Sequence, residues 1–197
     1  MGRVIEPRPR CSWASADGPS PNPMMAAYHD DEWGIPTHDD VELFERLALE
    51  SFQAGLSWST ILRKRERFRA AFQGFDPRVV AGFDDTDRVR LMADAGIVRN
   101  RAKIDATIGN AEALLRTADE FGSFDRYLTG HVPQPPGRLP PDARSGQIPA
   151  TTAVSDALSA DLRNRGFRFV GSTIVYAFMQ SVGLVDDHLP GCFRYQG

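Results

Sequence analysis

Cysteine is scarce in this sequence, and long hydrophobic runs are missing from it. Two cysteines among 197 residues cannot make the disulfide framework of a small secreted domain. No stretch approaches the roughly eighteen consecutive apolar residues of a membrane span, and the N-terminal residues MGRVIEPRPRC are polar and proline-rich. Glu6 also stands where a myristoylation signal requires Ser or Thr. We therefore expect a cytoplasmic protein without a membrane anchor, in which both thiols stay reduced and available to a metal.

Alternating apolar and polar residues, which are typical of strands, are missing as well, and no segment repeats another. Apolar residues recur instead at helical spacing, which predicts an all-α fold. The predicted helices run from Thr37 or Asp39 to about Gln53, from Trp58 to Phe72, from Asp76, from Asp85 to near Gly96, over 99–115, from Ser155 to near Gly166 and from Gly171 through Ser181. Residues 131–149 contain six prolines and two glycines, which predicts a loop within one domain spanning 1–197. The length allows that domain two lobes that share a cleft.

The net charge of −3 gives no general affinity for nucleic acid, but the basic residues are unevenly distributed. Residues 63–69 include five basic side chains, and 99–103 and 163–168 include three each, whereas acidic residues gather elsewhere. Such segregation can build a phosphate-binding face on an acidic protein. Solvated helix surfaces explain the pattern equally well, so charge alone leaves both interpretations open.

Each cysteine has a histidine partner in the sequence. His188 and Cys192 form an H-x3-C pair that can reach one metal ion, whereas Cys11 and His29 have seventeen residues between them. If the fold brings both ends together, four such nitrogen and sulfur ligands suit a structural zinc with no position open for chemistry. Two unrelated thiols and two ordinary histidines are the alternative. A zinc hydrolase is disfavoured, because four protein ligands exclude water and the sequence has no H-E-x-x-H.

Glu50 is a carboxylate on the core-facing side of a predicted helix. Helical steps lead from Leu43 through Leu47 to Glu50, and a buried carboxylate is costly unless it is paired or serves a ligand. An ion pair with an arginine, or hydrogen bonds from backbone amides, would be the ordinary explanation. However, Trp58 follows Glu50 closely, and Tyr28 precedes its helix within a polar run. A carboxylate beside aromatic faces suits a planar, electron-poor, hydrogen-bonding ligand such as a nucleobase.

The segment from Gly166 to Gly171 predicts a tight turn between two helices, followed by Ser172 and Thr173. Backbone amides at the start of the second helix can hold a DNA phosphate. Glycine is common in any turn between helices, so this motif alone is unspecific.

Seven runs of residues, in order from 11 to 192, resemble the 3-methyladenine DNA glycosylase I (Tag) family. They are CSW at 11–13, YHDDEWG at 28–34, E-x-x-QAGLSW at 50–58, AGIVRNRAK at 95–103, SDAL at 155–158, GFRFVG at 166–171 and DH-x3-C at 187–192. The resemblance implies a helix-hairpin-helix glycosylase fold, with two helical lobes around a DNA-binding cleft. It also implies one structural zinc that ties the two ends of the chain together, held by Cys11, His29, His188 and Cys192.

The resemblance assigns roles to individual residues. It implies that Glu50, Tyr28 and Trp58 recognise and release the base, with Trp13 and Trp33 as walls of the pocket. The DNA-contacting residues that it implies are Gln53, Leu56, Gly166, Arg168, Phe169, Gly171 and Ser172. The implied activity is hydrolytic release of 3-methyladenine from alkylated double-stranded DNA by a monomer, with the free base as product. A non-catalytic module that binds damaged DNA on the same scaffold is the alternative.

Three positions differ from relatives within or near this family. Thr173 stands where lyase-type relatives have a lysine, which implies hydrolysis without a Schiff base. Met25 stands where some relatives have a pocket tyrosine. Asp186 stands where family members commonly have Asn, and it either acts on the sugar during catalysis or only supports the zinc ligand His188. The sequence leaves both roles for Asp186 open.

Overall fold

The computed structural model describes residues 8–14 and 22–196, so the expectation about Glu6 lies outside the described residues. These ranges form nine α-helices: α1 (Pro23–Asp31), α2 (Asp40–Gln53), α3 (Trp58–Ala71), α4 (Pro77–Val80), α5 (Asp85–Ala93), α6 (Arg101–Phe121), α7 (Phe124–Thr129), α8 (Ala153–Asn164) and α9 (Ser172–Ser181). Short 3₁₀ turns lie at Ser12–Ala14, Gln73–Phe75 and Ser145–Gln147. Within the described ranges no strand forms, and the β-type contact is an isolated bridge between Arg138 and Asp186. The all-α prediction is confirmed, and none of the described helices is both long and apolar enough to cross a membrane.

Side-chain caps start the main helices close to where the sequence predicts them. Asp39 caps α2 by accepting a hydrogen bond from the Glu42 amide at 2.9 Å, and Asp84 and Thr152 form capping boxes at α5 and α8. The sixth helix continues to Phe121, beyond the predicted end at 115. It stops only at Gly122, whose φ of 89° a glycine adopts without strain.

Two helices are not predicted by the apolar pattern. The first, α1, starts at the cap residue Asn22 with Pro23 in its first turn, but its apolar side chains form no single stripe. The other, α7, has only six residues. The amides of Phe124 and Asp125 at its start donate to the Asp40 carboxylate of α2 at 2.9 and 3.0 Å. Contacts far away in sequence therefore help to form α7.

The core is organised around α2, which packs against α3, α6, α7 and α9. Fully buried aromatic rings from α2, α3 and the turn that follows α3 form its centre: Phe44, Phe52, Phe68, Phe72 and Phe75. Burying one such side chain contributes about 1.5–3 kcal/mol. The buried face of α2 therefore carries Glu50 into the interior.

A second, smaller cluster joins the two ends of the described chain. Its buried members are Cys11, Tyr28, Trp33, Leu189 and Cys192. The Phe193 amide donates to the Pro9 carbonyl at 2.9 Å, and Trp58 packs against both the small cluster and the main core. Residues near 11 and residues near 192 therefore meet, as the four-ligand metal prediction requires.

Candidate active site

A cavity of about 340 Å³ opens where α1, α2, α3 and α9 converge. The side chains that line it are Trp13, Met25, Tyr28, Trp33, Glu50, Gln53, Trp58, Ile148, Ala177 and Gln180. The structure thus brings together all five residues that the sequence analysis places around a base. This volume falls within the range of small-molecule sites, and the lining of the cavity is mostly apolar.

Glu50 is the acidic side chain of this cavity. Only 5% of its surface is exposed, and no hydrogen bond or ion pair joins its carboxylate to another described residue. Burial raises the pKa of Glu50 to about 8, and the positive charge of Arg46, one turn earlier on α2, works against this rise. The ordinary explanation of a satisfied core carboxylate therefore does not apply, and the carboxylate is available to a ligand.

Aromatic rings form the walls around Glu50. The ring centres of Tyr28 and Trp58 lie 5.2 Å apart, and those of Trp13 and Trp33 lie 5.0 Å apart. Burial and the nearby Glu50 charge raise the pKa of Tyr28 above its usual range, so its phenol stays neutral and can donate a hydrogen bond. The buried indole nitrogen Nε1 of Trp58 has no partner among the described atoms. Together these groups offer stacking faces and unused donors to a planar ligand.

Gln180 and Ile148 also line the cavity, and sequence reasoning does not identify either. Gln180 donates from Nε2 to the Asp187 carboxylate at 2.7 Å, and Tyr176 donates to the same oxygen at 2.6 Å. Because the amino group of Gln180 is committed to Asp187, its carbonyl oxygen is left to accept a hydrogen bond. Ile148 comes from the proline-rich loop 131–149, so that loop contributes an apolar side chain to the cavity wall.

Asp186 lies outside the cavity lining. Its carboxylate accepts a hydrogen bond from the backbone amide of His188 at 3.2 Å and pairs with Arg138 at 3.6 Å. The neighbouring Asp187, and not Asp186, connects to the cavity through Gln180. These contacts place Asp186 beside the metal-ligand segment.

Four buried side chains form a candidate metal centre: Cys11, His29, His188 and Cys192. The Cys192 Sγ lies 3.3 Å from His29 Nε2 and 3.7 Å from His188 Nδ1, and the Cys11 Sγ lies 3.8 Å from the same His188 nitrogen. A tetrahedron with metal–ligand bonds of about 2.0–2.3 Å has edges of about 3.3–3.8 Å. All four donor atoms lie within 4.8 Å of one another, and these three pairs are at tetrahedral distances, so the donor set can hold one metal ion.

Neighbouring groups orient these ligands. His29 turns its other ring nitrogen, Nδ1, to the Asp30 carboxylate at 3.0 Å, and Arg10 holds that carboxylate at 2.6 Å. Such a carboxylate fixes the ring orientation and tautomer of a metal-binding histidine. The pKa of the Cys192 thiol lies below its usual range, because the Cys11 thiol and both histidines hydrogen-bond to its sulfur. A thiolate is the form that binds metal.

Most residues that the sequence analysis assigns to DNA contact lie on two loops, whereas Gln53 ends α2 and lines the cavity, and Ser172 begins α9. Leu56, 42% exposed, sits in the α2–α3 loop (residues 54–57), which turns at Gly55 with a φ of 84°. The α8–α9 hairpin (residues 166–171) leads into α9 at Gly171, where no side chain caps the first amides. Ser51 joins the two regions by donating to the Phe169 carbonyl at 3.0 Å.

The basic residues of 163–168 divide into two groups. Arg165 forms ion pairs with Glu120 at 2.7 Å and Asp161 at 2.8 Å, and its guanidinium lies over aromatic rings. Arg163 and Arg168 are exposed and have no ion pair within the described residues. Only these two arginines of the run are therefore free to meet a phosphate.

The basic run 63–69 is likewise partly structural. Arg65 and Arg69 bind the Glu45 carboxylate at 2.7 and 3.0 Å, and Lys64 donates to the carbonyl of Ala95 at 2.9 Å. Arg67 is exposed. Part of this run is therefore committed to contacts within the protein, and a phosphate-binding face stays a prediction.

Known proteins resemble this chain in sequence and in fold. The sequence profile of the family described as methyladenine glycosylase matches residues 18–195. The chain is 48% identical over 191 residues to DNA-3-methyladenine glycosylase 1 of Escherichia coli (strain K12), which covers 95% of this chain and 97% of that protein. A crystal structure of 3-methyladenine DNA glycosylase I (TAG) superimposes with a TM-score of 0.87 at 46% identity, covering 94% of this chain and 99% of the other. The Staphylococcus aureus enzyme, solved to explain its recognition of 3-methyladenine, gives a TM-score of 0.84 at 37% identity, covering 88% of this chain and 92% of the other.

Proposed function

Because the chain belongs to the methyladenine glycosylase family, we propose that it is a DNA glycosylase that releases 3-methyladenine from alkylated double-stranded DNA by hydrolysis. The observation that carries this proposal is Glu50, a buried and unpaired carboxylate in an aromatic cavity large enough for one base. A base inside a duplex cannot reach such a cavity. The target nucleotide must therefore leave the base stack, as in other enzymes that act on bases.

Charge complementarity explains selectivity for the damaged base. Methylation at N3 leaves adenine cationic while it is attached to DNA, so stacking on Trp58 and contact with Glu50 both become stronger. With a pKa of about 8, Glu50 is mostly protonated at neutral pH when no ligand is bound. A cationic base lowers that pKa and releases the proton, whereas neutral adenine gains nothing comparable.

The positive charge also weakens the glycosidic bond, so the leaving base needs no strong general acid. Water supplies its hydroxyl to the sugar C1′, the base departs as neutral 3-methyladenine with the bonding electrons, and the remaining proton passes to solvent. Thr173, near the start of α9, has no amine to form a Schiff base with the sugar. The proposed reaction is therefore hydrolysis alone, without strand cleavage.

We assign DNA binding to the α8–α9 hairpin and the α2–α3 loop. The uncapped amides at the start of α9 and the exposed Arg168 suit a phosphate. Leu56 is placed on the adjacent loop, where an apolar side chain can fill the space left by the displaced base. This arrangement supports the helix-hairpin-helix interpretation. The same proposal includes two helical lobes around a DNA-binding cleft, both within a single domain over 1–197.

Zinc is the metal that we propose for the four-ligand centre, because two thiolates and two imidazoles in tetrahedral spacing suit it best. Zinc would hold residues near 11 against residues near 192 and thereby fix Trp13 and Trp33 at the cavity. Four protein ligands leave it no direct part in the reaction. We further propose that the protein acts as a monomer on cytoplasmic DNA.

The proposed activity is tested by the bases that the purified protein releases from methylated duplex DNA. Chromatography of the soluble fraction should show free 3-methyladenine, and denaturing electrophoresis should show intact strands until alkali cleaves the abasic sites. Binding to methylated DNA without release of any base would identify a non-catalytic binding module instead.

A further inference from the structure

Two buried polar side chains, Lys103 and Asn110, lie on the same face of α6. They are 7% and 2% exposed, and their separation of seven residues corresponds to about 10 Å along the helix axis. Each reaches out of α6 to the backbone of a different exposed loop. The cavity-lining residues do not include either of them.

Lys103 holds the end of α2. Its ammonium donates to the carbonyls of Phe52 and Ala54 at 2.9 and 2.7 Å, immediately before the chain turns at Gly55 and exposes Leu56. No carboxylate pairs with Lys103 within the described residues, and burial lowers its pKa. Its charge is offset instead by the carbonyl end of the α2 helix. An apolar side chain would fill this space at less cost, so the ammonium has a role beyond packing.

Asn110 holds the middle of the α8–α9 hairpin. Its Nδ2 donates to the Arg168 carbonyl at 2.9 Å, and its Oδ1 accepts from the Arg168 amide at 2.8 Å. Both backbone groups of one hairpin residue are thus fixed by one side chain. The next residue, Phe169, adopts a φ of 54°, which is unusual outside glycine and needs such support.

We propose that Lys103 and Asn110 are positioning residues that hold the α2–α3 loop and the α8–α9 hairpin in fixed register on DNA. The inference rests on the proposed function, in which the hairpin grips a phosphate while Leu56 enters the base stack. Both loops must engage one duplex at once, and a displacement of about 1 Å in such an arrangement can cost about a hundredfold in rate. Ser51 of α2 also joins the two regions directly, but it reaches the hairpin only at the Phe169 carbonyl. The α6 helix contacts both.

The test compares three variants of the full-length protein. Lys103→Met keeps a long unbranched side chain without the ammonium, and Asn110→Leu keeps the shape without the amide. Thr107→Val is the matched control, because Thr107 is buried between them on the same face and bonds only to the Lys103 carbonyl of its own helix, at 2.9 Å. Each protein is titrated with a duplex containing a tetrahydrofuran abasic-site analogue and, separately, with free 3-methyladenine.

We expect Lys103→Met and Asn110→Leu to bind the duplex at least about tenfold more weakly than wild type, with free-base affinity and the Thr107→Val control unchanged. Lys103→Arg, which restores donors and charge, should recover part of the duplex affinity. Duplex binding within about threefold of wild type would overturn the proposal. An equal loss of duplex and free-base binding would also overturn it, since that pattern indicates general destabilisation.

If Asn110→Leu does not fold, Asn110→Ser is measured with the same criteria. Failure of the proposed function is distinguishable, because it would appear as a wild-type protein that releases no 3-methyladenine. A wild type that releases the base, with positioning variants that bind duplex normally, would contradict only the role of α6.

Discussion

Arg46 and Glu50 lie one turn apart on α2, and both are buried, with 3% and 5% of their surfaces exposed. Arg46 uses Nη2 to bind Glu32 at 2.8 Å and Glu42 at 2.9 Å, while its buried Nε and Nη1 have no partner among the described atoms. Its charge opposes the effect of burial on the pKa of Glu50. The carboxylate therefore stays near enough to ionisation for a cationic base to displace its proton.

Glu50→Gln should stabilise the ligand-free protein at alkaline pH and leave it unchanged at acid pH. Folding raises the pKa of Glu50 from 4.5 to about 8. Ionisation of Glu50 therefore destabilises the folded state progressively as the pH rises from 4.5 to about 8. Below this range ionisation does not affect stability, and above it the loss of stability is complete. We expect the Tm of the variant to exceed that of wild type by about 3 °C or more near pH 9. Thermal unfolding of both proteins at both ends of this range measures the difference, and a pH-independent difference would contradict the burial argument.

The rate of 3-methyladenine release should fall at acid pH as Glu50 becomes protonated, and we call this fall the acid limb of the pH profile. Arg46→Met should shift the acid limb to higher pH, by about one unit. Without this cation nothing opposes the rise that burial causes in the pKa of Glu50, so Glu50 ionises less readily. Tyr28 is the other titratable side chain that lines the cavity, and it stays neutral. Single-turnover rates across pH measure this shift.

Two further variants control the Arg46 experiment. Glu42→Gln removes a partly exposed partner of Arg46 but keeps the bridge to Glu32, so its profile should match wild type. Arg46→Lys keeps the positive charge and should move the limb less than Arg46→Met. A profile for Arg46→Met that matches wild type would show that Arg46 does not influence Glu50.

Cys192→Ser should lose zinc and lower the Tm by more than about 5 °C, because the proposed metal would join residues near 11 to residues near 192. Wild type prepared without chelators should contain one zinc per chain by elemental analysis. Chelator-stripped wild type should unfold like the variant and recover with added zinc. Wild type without zinc, or a variant of unchanged Tm, would contradict a structural metal.

Arg168→Glu should weaken duplex binding regardless of sequence and reduce the salt dependence of the binding constant by about one on a log–log scale. Arg168 is exposed, without an ion pair in the described part of the chain, and lies in the hairpin. Arg78→Glu, an equal charge change at an exposed position of α4, is the matched control and should leave the slope unchanged. Equal slopes for Arg168→Glu and wild type would place the DNA-binding face elsewhere.

Asp186→Asn should retain most single-turnover activity and its zinc. The Asp186 carboxylate bonds to the His188 amide and to Arg138 and does not line the cavity, so we expect it to support the proposed metal-ligand segment. Quench-flow release of 3-methyladenine and metal analysis measure both properties. A fall of about a hundredfold or more with zinc still bound would identify the carboxylate as catalytic.

The position of Glu50 follows from local rules. The apolar period of α2 is strong and its cap is unambiguous, so the sequence alone places this carboxylate on the core-facing side. The ordered runs shared with the glycosylase family also determine which aromatic residues accompany it. The position of Glu50 belongs to a single segment, so neighbouring residues suffice to encode it, whereas the aromatic residues come from separate segments and were predicted from the family resemblance.

Long-range packing decided the rest. Gln180 and Ile148 reach the cavity from α9 and from a proline-rich loop, and neither segment carries a pattern that marks it as part of a pocket. Arg165 belongs to a basic run but forms ion pairs with Glu120 and Asp161, whereas Arg168 of the same run has no ion pair within the described residues. Which arginine meets a carboxylate, and which loops α6 holds together, depends on residues tens of positions apart. The sequence by itself determined most of the helices and the chemistry that they carry. Only the tertiary structure, through contacts without a local periodic signal, decided which groups face the cavity, which gather into the candidate metal centre and which stay exposed on the two loops.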